Sequence, residues 1–473
     1  MLARHSLIYL LVRGLPGLLN FFALALYTRL VTPEQYGLYA LVFASVSLCN
    51  AILFQWLRLG LLRFLPAFER EQRHTMLTST LLAGFLLLAL ITSLAGASMA
   101  FFQPDGSLRT LILLGTVLLW VQAWFEISLE LLRSRLHPER YGLVFISKSL
   151  LTVGISGTLA YLGFGAIGLL LGVIFGQVFA LLAFTRTEWR GTRLRKTNWQ
   201  VFKQVLVYGL PLTGTFALNF VISSSDRLLI GWLLGSDATG LYAVGYELAK
   251  QTMWVLMTAI NSASYPLAVR ALEQHGLQAV QKQLSQNATL LLAITVPAAA
   301  GLAMLAPNIA HVFLGAEFRQ AASALIPWIV LGTLLGGLTN FYLVQAFQLG
   351  KNTMLQLWPF GISALVNVLL NLWLIPIHGV MGAAYATVAA YASNALLCVW
   401  IGKRVFPMPF PLKNSLKVFA ATALMFLALV PTIGWQGVSA LVAQVSLGLA
   451  VYALASLALN TGNLRGRLVA FRG

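Results

Sequence analysis

A small set of ionisable side chains lies inside long apolar stretches of this 473-residue chain. A charge near the centre of a bilayer costs at least about 2.5–3.5 kcal/mol on insertion scales, so such groups are expected to line a polar cavity or to pair with one another. Bases match or outnumber acids in these stretches, which favours an anionic ligand. We therefore predict ligand-binding bases, Arg13, Arg58, Lys148, Arg227 and Lys250, and acids that couple an ion or pair with bases, Glu126, Glu130, Asp226 and Glu247.

The spacing of four of these residues places them on shared helix faces. Glu126 and Glu130 are four positions apart, and Glu247 precedes Lys250 by three,. Two carboxylates close together in a low dielectric repel each other, which favours a shared proton and would suit a proton carrier. Glu247 and Lys250 could instead neutralise one another, or one could bind the ligand while the other titrates.

Several of these residues also have a plainer interpretation. Glu130 lies near the end of its apolar stretch beside Arg133, where it can pair or reach the headgroups, and Arg58 is similar,. Asp226 and Arg227 lie near the end of another stretch and can cap it or pair. These alternatives stay open at the level of the sequence.

The elements that carry these residues are transmembrane helices. Hydrophobic residues make up 59% of the chain and charged residues only 9%, against about 25% charged in a soluble domain. Apolar runs long enough to cross a bilayer recur throughout, and their length and continuity indicate helices and not barrel strands. We predict an all-α polytopic membrane protein with about fourteen spans, over 7–30, 37–60, 76–102, 109–132, 141–162, 164–185, 205–232, 239–263, 286–307, 323–346, 354–375, 380–402, 415–434 and 437–460.

Three sequence echoes indicate an internal duplication. Gly-Leu-Tyr-Ala closes both of the segments 33–40 and 236–243, Gly-Leu-Pro occurs at 14–16 and 209–211, and Gly-x-x-Gly occurs at 165–168 and 379–382. The echoes appear in the same order in both halves, as in carriers built from two repeats around a central pathway. We predict two pseudo-symmetric six-helix lobes, 1–200 and 201–405, followed by two extra helices and a tail in 406–473.

The distribution of positive charge predicts the orientation in the membrane. With the N-terminus in the cytoplasm, most of the 31 Lys and Arg fall in cytoplasmic segments, and the opposite face keeps only Arg29, Arg109 and Arg319,. Both termini are therefore expected in the cytoplasm, and the net charge of +18 is explained by topology and headgroup contacts without nucleic acid,. The first apolar run is interrupted by Arg13, so we interpret it as a span and not a cleaved leader.

Other classes of chemistry find little support in the sequence. The two cysteines, Cys49 and Cys398, lie in apolar runs and are interpreted as small buried hydrophobes,. The six histidines show no metal-ligand spacing, and we expect no metal and no cofactor,. The connections between spans are too short for a soluble catalytic domain, so we predict a protein that is not an enzyme.

Segments at the ends of several spans carry a family resemblance. Leu-Val-Thr-Pro-Glu-Gln-Tyr-Gly-Leu-Tyr-Ala-Leu-Val at 30–42, Tyr-Gly-Leu-Pro-Leu at 208–212, and Ser-Asp-Arg-Leu-Leu-Ile-Gly at 225–231 continuing to 240–243 resemble the polysaccharide-transport branch of a flippase superfamily. That superfamily also contains multidrug and toxin extrusion antiporters and the lipid II flippase. The resemblance covers essentially the whole chain, including the duplication and the two extra helices.

The resemblance implies a flippase of the bacterial inner membrane. It would move polyprenyl-pyrophosphate-linked oligosaccharide from the cytoplasmic to the outer leaflet by alternating access, for O-antigen, capsule or exopolysaccharide assembly. Spans one, two, four, five, seven, eight, ten and eleven would face the cavity. Expected partners are this substrate, membrane lipids, a proton or sodium counter-ion and a glycan polymerase, and we expect a monomer.

Three rival functions remain for the same architecture. A cation-coupled multidrug exporter shares the fold, but we would expect an acidic cavity for cationic drugs. A membrane glycan polymerase or ligase needs a large outer loop with reactive residues, which the sequence lacks. A non-transporting structural membrane protein gives no reason for buried Lys250 and Arg13.

Overall fold

All regular structure in the described part of the chain is helical. The computed structural model describes residue 17 and residues 19–465. The helices are α1 (Leu19–Leu30), α2 (Pro33–Leu53), α3 (Gln55–Arg70), α4 (His74–Phe102), α5 (Gly106–Ser134), α6 (Pro138–Tyr161), α7 (Gly165–Phe184), α8 (Trp199–Leu234), α9 (Ser236–Met304), α10 (Ala306–Phe313), α11 (Ala316–Leu338), α12 (Gln345–Leu349), α13 (Leu357–His378), α14 (Val380–Gly402), α15 (Leu412–Leu429) and α16 (Val438–Ala458).

The number of spans agrees approximately with the prediction. In the described residues, 12 helical stretches are long and apolar enough to cross a membrane, and α1 is a shorter apolar helix. The 69 residues of α9 are interrupted at Gly276, whose φ of 78° is not helical. At 1.5 Å per residue α9 would be far longer than one crossing. It therefore contains the span predicted at 239–263 and most of the span predicted at 286–307.

The helices form two compact units, Met1–Gly240 and Leu241–Gly473. By this grouping α8 belongs with the first unit, where Phe202 packs edge-on against Trp56 with 5.6 Å between ring centroids. The prediction of six-helix lobes divided at residue 200 follows the duplication and stays a prediction. Residues 466–473 of the predicted tail lie outside the described residues.

In the first unit, capping residues determine where α2 begins, and a bend in the chain separates the end of α2 from α3. Thr32 caps the helix in a capping box with Gln35, and Pro33 occupies the first turn,. The second predicted span, 37–60, is not one helix, because the chain bends at Phe54 before α3 begins. Phe54 is fully buried and packs against Phe85 at 5.7 Å.

Two glycines from the repeated segments meet in the first unit. A Cβ added at Gly37 would lie 1.7 Å from the carbonyl oxygen of Ser236, and one at Gly240 would lie 1.9 Å from that of Pro33. No side chain fits at such distances, so the backbones at the starts of α2 and α9 touch directly.

Aromatic residues form part of the core of the first unit. Trp124 on α5 packs against Phe85 at 4.9 Å and against Trp189 at 4.2 Å between ring centroids. Trp189 belongs to the connection between α7 and α8 and donates to the Ser128 hydroxyl at 3.1 Å. This connection follows the last helix of the predicted first lobe, and most of its residues are exposed although Trp189 is half-buried.

The same connection is bonded to α4. The backbone N–H of Arg193 donates to Ser79 Oγ at 3.0 Å, and that of Asn198 donates to Thr80 Oγ1 at 3.2 Å. Buried hydroxyls therefore satisfy loop donors that would otherwise need water.

In the second unit, buried amides fasten α16 to α10. Asn308 Nδ2 donates to Gln444 Oε1 at 2.7 Å, and Gln444 Nε2 donates to the carbonyl of Thr432 at 2.6 Å. The N–H of Gly437 donates to Asn308 Oδ1 at 2.9 Å. The two extra helices are thus hydrogen-bonded to the rest of this unit.

Two predicted features differ from the structure. The span expected at 323–346 is helical from Ala316, and after Leu338 it passes through a π-helical turn over Thr339–Leu343. The expectation that both cysteines are buried is wrong for Cys49, which is exposed on α2, whereas Cys398 is buried. An apolar neighbourhood in sequence does not specify which face of a helix packs inward.

Candidate functional site

Four helices of the first unit place polar side chains together within predicted spans. Asn50 comes from the end of α2, Arg58 from α3, Glu126 from α5 and Lys148 from α6. The bend at Phe54 separates Asn50 from Arg58 along the chain, yet both bond to the same carboxylate. The predicted spans two, four and five thus contribute to one site.

The centre of this site is an ion pair. Arg58 Nη1 lies 2.5 Å from Glu126 Oε2, and Asn50 Nδ2 donates to the same oxygen at 2.9 Å. Gln122 Nε2 donates to the other oxygen, Oε1, at 3.2 Å, and Gln55 Oε1 accepts from Arg58 Nη1 at 3.0 Å. We name these five residues the Arg58–Glu126 cluster.

The Arg58–Glu126 cluster is partly exposed, and some of its polar atoms have no hydrogen-bond partner among the described residues. The side chains of Arg58 and Glu126 keep 27% and 25% of their surface exposed. Arg58 Nε, Asn50 Oδ1 and Gln122 Oε1 are buried and have no hydrogen-bond partner among the described residues. Unpaired buried polar atoms are uncommon and costly, so they mark a place that a ligand or water can complete.

Lys148 adds positive charge beside the Arg58–Glu126 cluster. Its ammonium lies 6.0 Å from the centroid of the Phe145 ring and interacts electrostatically with Glu126. The site thus contains two basic side chains, Arg58 and Lys148, and one acid, Glu126. Such a site attracts anions and disfavours cations.

Glu130 has a different partner from Glu126. It pairs with Arg133 at 2.8 Å, and that arginine is 44% exposed at the end of α5. This is the end-of-span pairing that the sequence left open as an alternative. The role of either carboxylate in ion coupling stays a prediction.

The remaining predicted residues lie on α8 and α9. Asp226 is fully buried and Arg227 nearly so, in the first unit. In the second unit Glu247 and Lys250 are half-buried, and the Lys250 ammonium lies 5.1 Å from the centroid of the Tyr246 ring. Arg13 lies outside the described residues.

The sequence did not single out Asn50 as part of a site. Gln55 and Gln122 were visible only as amides in apolar runs, although Gln55 stands three residues before Arg58 and Gln122 four before Glu126. Those spacings place each amide beside its charged neighbour on a helix. This was the one available signal, and it does not identify Asn50.

A second group of charges lies outside the spans, where α3, α5 and α6 end or begin. Glu188 accepts from Arg135 and from Arg140, each at 2.7 Å, and lies 3.6 Å from His137 Nδ1. Arg135 also donates to Glu69 at 2.8 Å. We name these five residues the Glu188 network.

The Glu188 network shifts the pKa values of its members. Burial alone would raise the pKa of the Glu188 carboxyl, but Arg135, Arg140 and His137 hold that pKa below its ordinary value,. Burial would lower the pKa of Arg135, whereas its bonds to Glu69 and Glu188 raise it. Both shifts stabilise the charged forms.

No group of three or more His, Cys, Asp or Glu that could hold a metal ion occurs within residues 17 and 19–465. The polar side chains of the Arg58–Glu126 cluster are donors and acceptors suited to an anion or a sugar.

Apolar helices of spanning length that enclose a charged cluster define a polytopic helical membrane protein. The chain belongs to the family described as polysaccharide biosynthesis protein, whose sequence model matches residues 26–323.

Two curated relatives are similar to this chain. A probable low-salt glycan biosynthesis flippase of Haloferax volcanii is 23% identical over 59% of this chain, which spans 58% of that relative's length. A candidate O-antigen transporter of Shigella flexneri is 22% identical over 83% of this chain and 95% of its own length.

Two solved structures share the fold. The lipid II flippase MurJ, in an inward closed conformation, has a TM-score of 0.79 at 15% identity and covers 95% of this chain and 98% of its own. An outward-facing multidrug resistance MATE family transporter of the MOP superfamily has a TM-score of 0.59 at 16% identity, covering 85% of this chain and 94% of its own. At these identities the likeness shows the fold alone.

Proposed function

We propose that this protein is a flippase, not an enzyme, that moves polyprenyl-pyrophosphate-linked oligosaccharide from the cytoplasmic to the outer leaflet by alternating access. The observation that carries the proposal is the Arg58–Glu126 cluster with Lys148 beside it, a partly exposed site between apolar helices that contains two basic side chains and one acid. A lipid-linked pyrophosphate needs such cations to enter a low dielectric, and its sugar needs polar side chains. The family and the names of the relatives support this substrate class.

The ion pair fixes the side-chain conformation of Arg58 before the substrate binds. Glu126 and Gln55 hold the guanidinium in place and Asn50 in turn holds Glu126, so little side-chain entropy remains to be lost on binding,. An incoming phosphate competes with Glu126 for Arg58, and the amide oxygens are free to accept from sugar hydroxyls. A proton or sodium ion at Glu126 would release Arg58 to the phosphate, and this coupling is part of the proposal.

The proposed setting is the bacterial inner membrane with both termini in the cytoplasm, as the positive-inside distribution favours. With the cell interior negative, moving an anionic headgroup outward gains about 2.3 kcal/mol per charge per 100 mV. We also propose that the protein acts as a monomer and hands its product to a glycan polymerase.

Transport can be tested in proteoliposomes that carry a lipid-linked oligosaccharide. A lectin added outside would report the sugars that reach the outer leaflet. Arg58→Gln and Lys148→Gln should each reduce the rate about ten- to hundredfold, as expected for one lost charge-assisted hydrogen bond of about 1.5–3 kcal/mol. Arg133→Gln is the matched control, because Arg133 pairs at the end of α5, and its rate should be unchanged. Equal rates in all three variants would remove the cationic site from the mechanism.

The MATE-like fold keeps a cation-coupled multidrug exporter as a second candidate. The same vesicles loaded with a cationic dye decide between them. We expect no dye export, because Arg58 and Lys148 outnumber Glu126 at the site. Dye export that depends on Glu126, without transfer of glycan, would favour the exporter.

A further inference from the structure

A cavity of about 880 Å³ lies in the second unit, bounded by α9, α15, α16 and the turn that follows α16. Its volume is in the range of small-molecule sites. The Arg58–Glu126 cluster belongs to the first unit, so this cavity is a separate site.

The chemistry of the cavity changes along its length. At one end it is lined by Lys282 from α9, by Lys417 and Asn414 from the start of α15, and by the turn 460–463. Two and three turns further along α9 it is lined by Leu290 and Ile294, which are 44% and 38% exposed. From Lys282 to Ile294 the helix rises by about 18 Å. The site is therefore polar at a span end and apolar within the span.

The polar end is positively charged. Lys282 and Lys417 are the basic side chains among the described lining residues, and no Asp or Glu occurs among these residues. Arg465 lies at the same end and caps α16, donating to the carbonyls of Leu457 and Ala458 at 2.8 and 2.6 Å. An anion is the complement of this end.

The polar end is also a built structure. Lys417 Nζ donates to the carbonyl of Asn460 at 3.4 Å, and Asn414 Nδ2 donates to Thr289 Oγ1 at 3.4 Å. Gly462 has a φ of 59°, and a Cβ there would lie 3.2 Å from the Thr289 methyl group. Glycine is therefore favoured here by its backbone conformation and by the close approach to α9.

One buried hydroxyl in this turn lacks a partner. Thr461 lines the cavity, is 2% exposed, and its Oγ1 has no hydrogen-bond partner among the described residues. A buried hydroxyl gains a hydrogen bond when a ligand or water completes it. It lies in the same turn as the acceptor of Lys417.

We propose that this cavity binds an anionic glycerophospholipid, with its phosphate between Lys282 and Lys417 and an acyl chain along Leu290 and Ile294. Charge complementarity selects a negative headgroup, and the exposed apolar wall gives the chain a path from the bilayer. By the positive-inside rule this basic end faces the cytoplasm, where anionic headgroups attract basic side chains. The bound lipid would bridge α9 and α15 and does not depend on the proposed transport.

Native mass spectrometry of the purified protein with phosphatidylglycerol tests the proposal. The variant Lys282→Gln/Lys417→Gln should bind phosphatidylglycerol at least tenfold more weakly than the wild type. Lys413→Gln is the matched control, since Lys413 is exposed in the first turn of the same helix and does not line the cavity. Lys282→Arg/Lys417→Arg should retain binding, and a matched elution volume in size-exclusion chromatography confirms that each variant is folded.

Four outcomes would overturn the proposal. Equal retention of phosphatidylcholine with the same acyl chains would show that charge is not recognised. If inorganic phosphate raises the Tm of the protein as much as phosphatidylglycerol does, the cavity is a site for free anions. Equal loss in Lys413→Gln would indicate unspecific surface charge. Tighter retention of a polyprenyl phosphate would make the cavity part of the substrate path.

Discussion

The Arg58–Glu126 cluster and the Glu188 network use the same residue types to different ends. In the Glu188 network one carboxylate pairs with two arginines and lies close to a histidine, and the groups connect the ends of three helices to the loop after α7. In the Arg58–Glu126 cluster one arginine shares a carboxylate with two amides and leaves buried polar atoms without partners. A saturated network holds a structure, whereas an unsaturated one keeps binding capacity.

The largest effects should come from removing one member of the intramembrane pair. Arg58→Leu leaves Glu126 without the base that is hydrogen-bonded to it. Breaking a buried pair costs about 3–5 kcal/mol at full burial, and less at this partial exposure. We expect a lower amount of folded protein in the membrane and no transport. The double variant Arg58→Leu/Glu126→Leu should recover part of the protein amount but not transport, because no carboxylate is left without Arg58, whereas Lys148 loses its interaction with Glu126.

Quantitative immunoblotting of membranes, beside the lectin assay, separates these effects. Recovery of transport in the double variant would show that the pair only stabilises the fold. The Arg58–Glu126 cluster would then have the same structural role as the Glu188 network.

A substitution in the Glu188 network should lower the stability of the protein and leave its transport rate unchanged. Glu188→Gln removes the charge that Arg135 and Arg140 share, and hydrogen bonds to charged groups contribute about 1.5–3 kcal/mol each at most. We expect a lower Tm with an unchanged transport rate per folded molecule. Scanning fluorimetry measures the first quantity and proteoliposomes the second. A reduced rate at unchanged Tm would contradict the assignment.

The pH dependence of this network has a definite sign. The pKa of Glu188 is lower in the folded protein than in an unfolded chain, where a glutamate titrates near about 4.3,. Its stabilisation is therefore present above about pH 4.3 and is lost as the pH falls through the folded pKa. The Tm difference between wild type and Glu188→Gln should be constant from pH 8 to 5 and shrink below about pH 4. A difference that grows on acidification would reverse the assignment.

The smallest effect is expected at an exposed pair. Arg73 and Glu71 lie 3.2 Å apart with 56% and 55% of their side chains exposed. Surface pairs contribute about 0–1 kcal/mol, so Arg73→Ala should leave Tm and transport nearly unchanged. A decrease in Tm as large as that caused by Glu188→Gln would show that burial does not distinguish this exposed pair from the Glu188 network.

The sequence predicted the helices well because hydrophobic length alone determines a span. It singled out Arg58 and Lys148 as candidate ligand-binding bases and Glu126 as an ion-coupling or pairing acid, since each interrupts an apolar run, and these roles stay predictions. It could not predict that Asn50 reaches Glu126, because the bend at Phe54 depends on tertiary packing. The Glu188 network could not be predicted from the sequence, because its charged residues come from separate loops and helix ends. They come into contact only when those helix ends pack together.

The contact of Gly37 with Ser236 and of Gly240 with Pro33 is reciprocal. Each glycine receives the carbonyl four residues before its counterpart, so the repeated segments are related here by a local two-fold axis. The reciprocal contact is therefore a mutual constraint on the two segments. Neither copy can acquire a side chain at this position unless the other gives way.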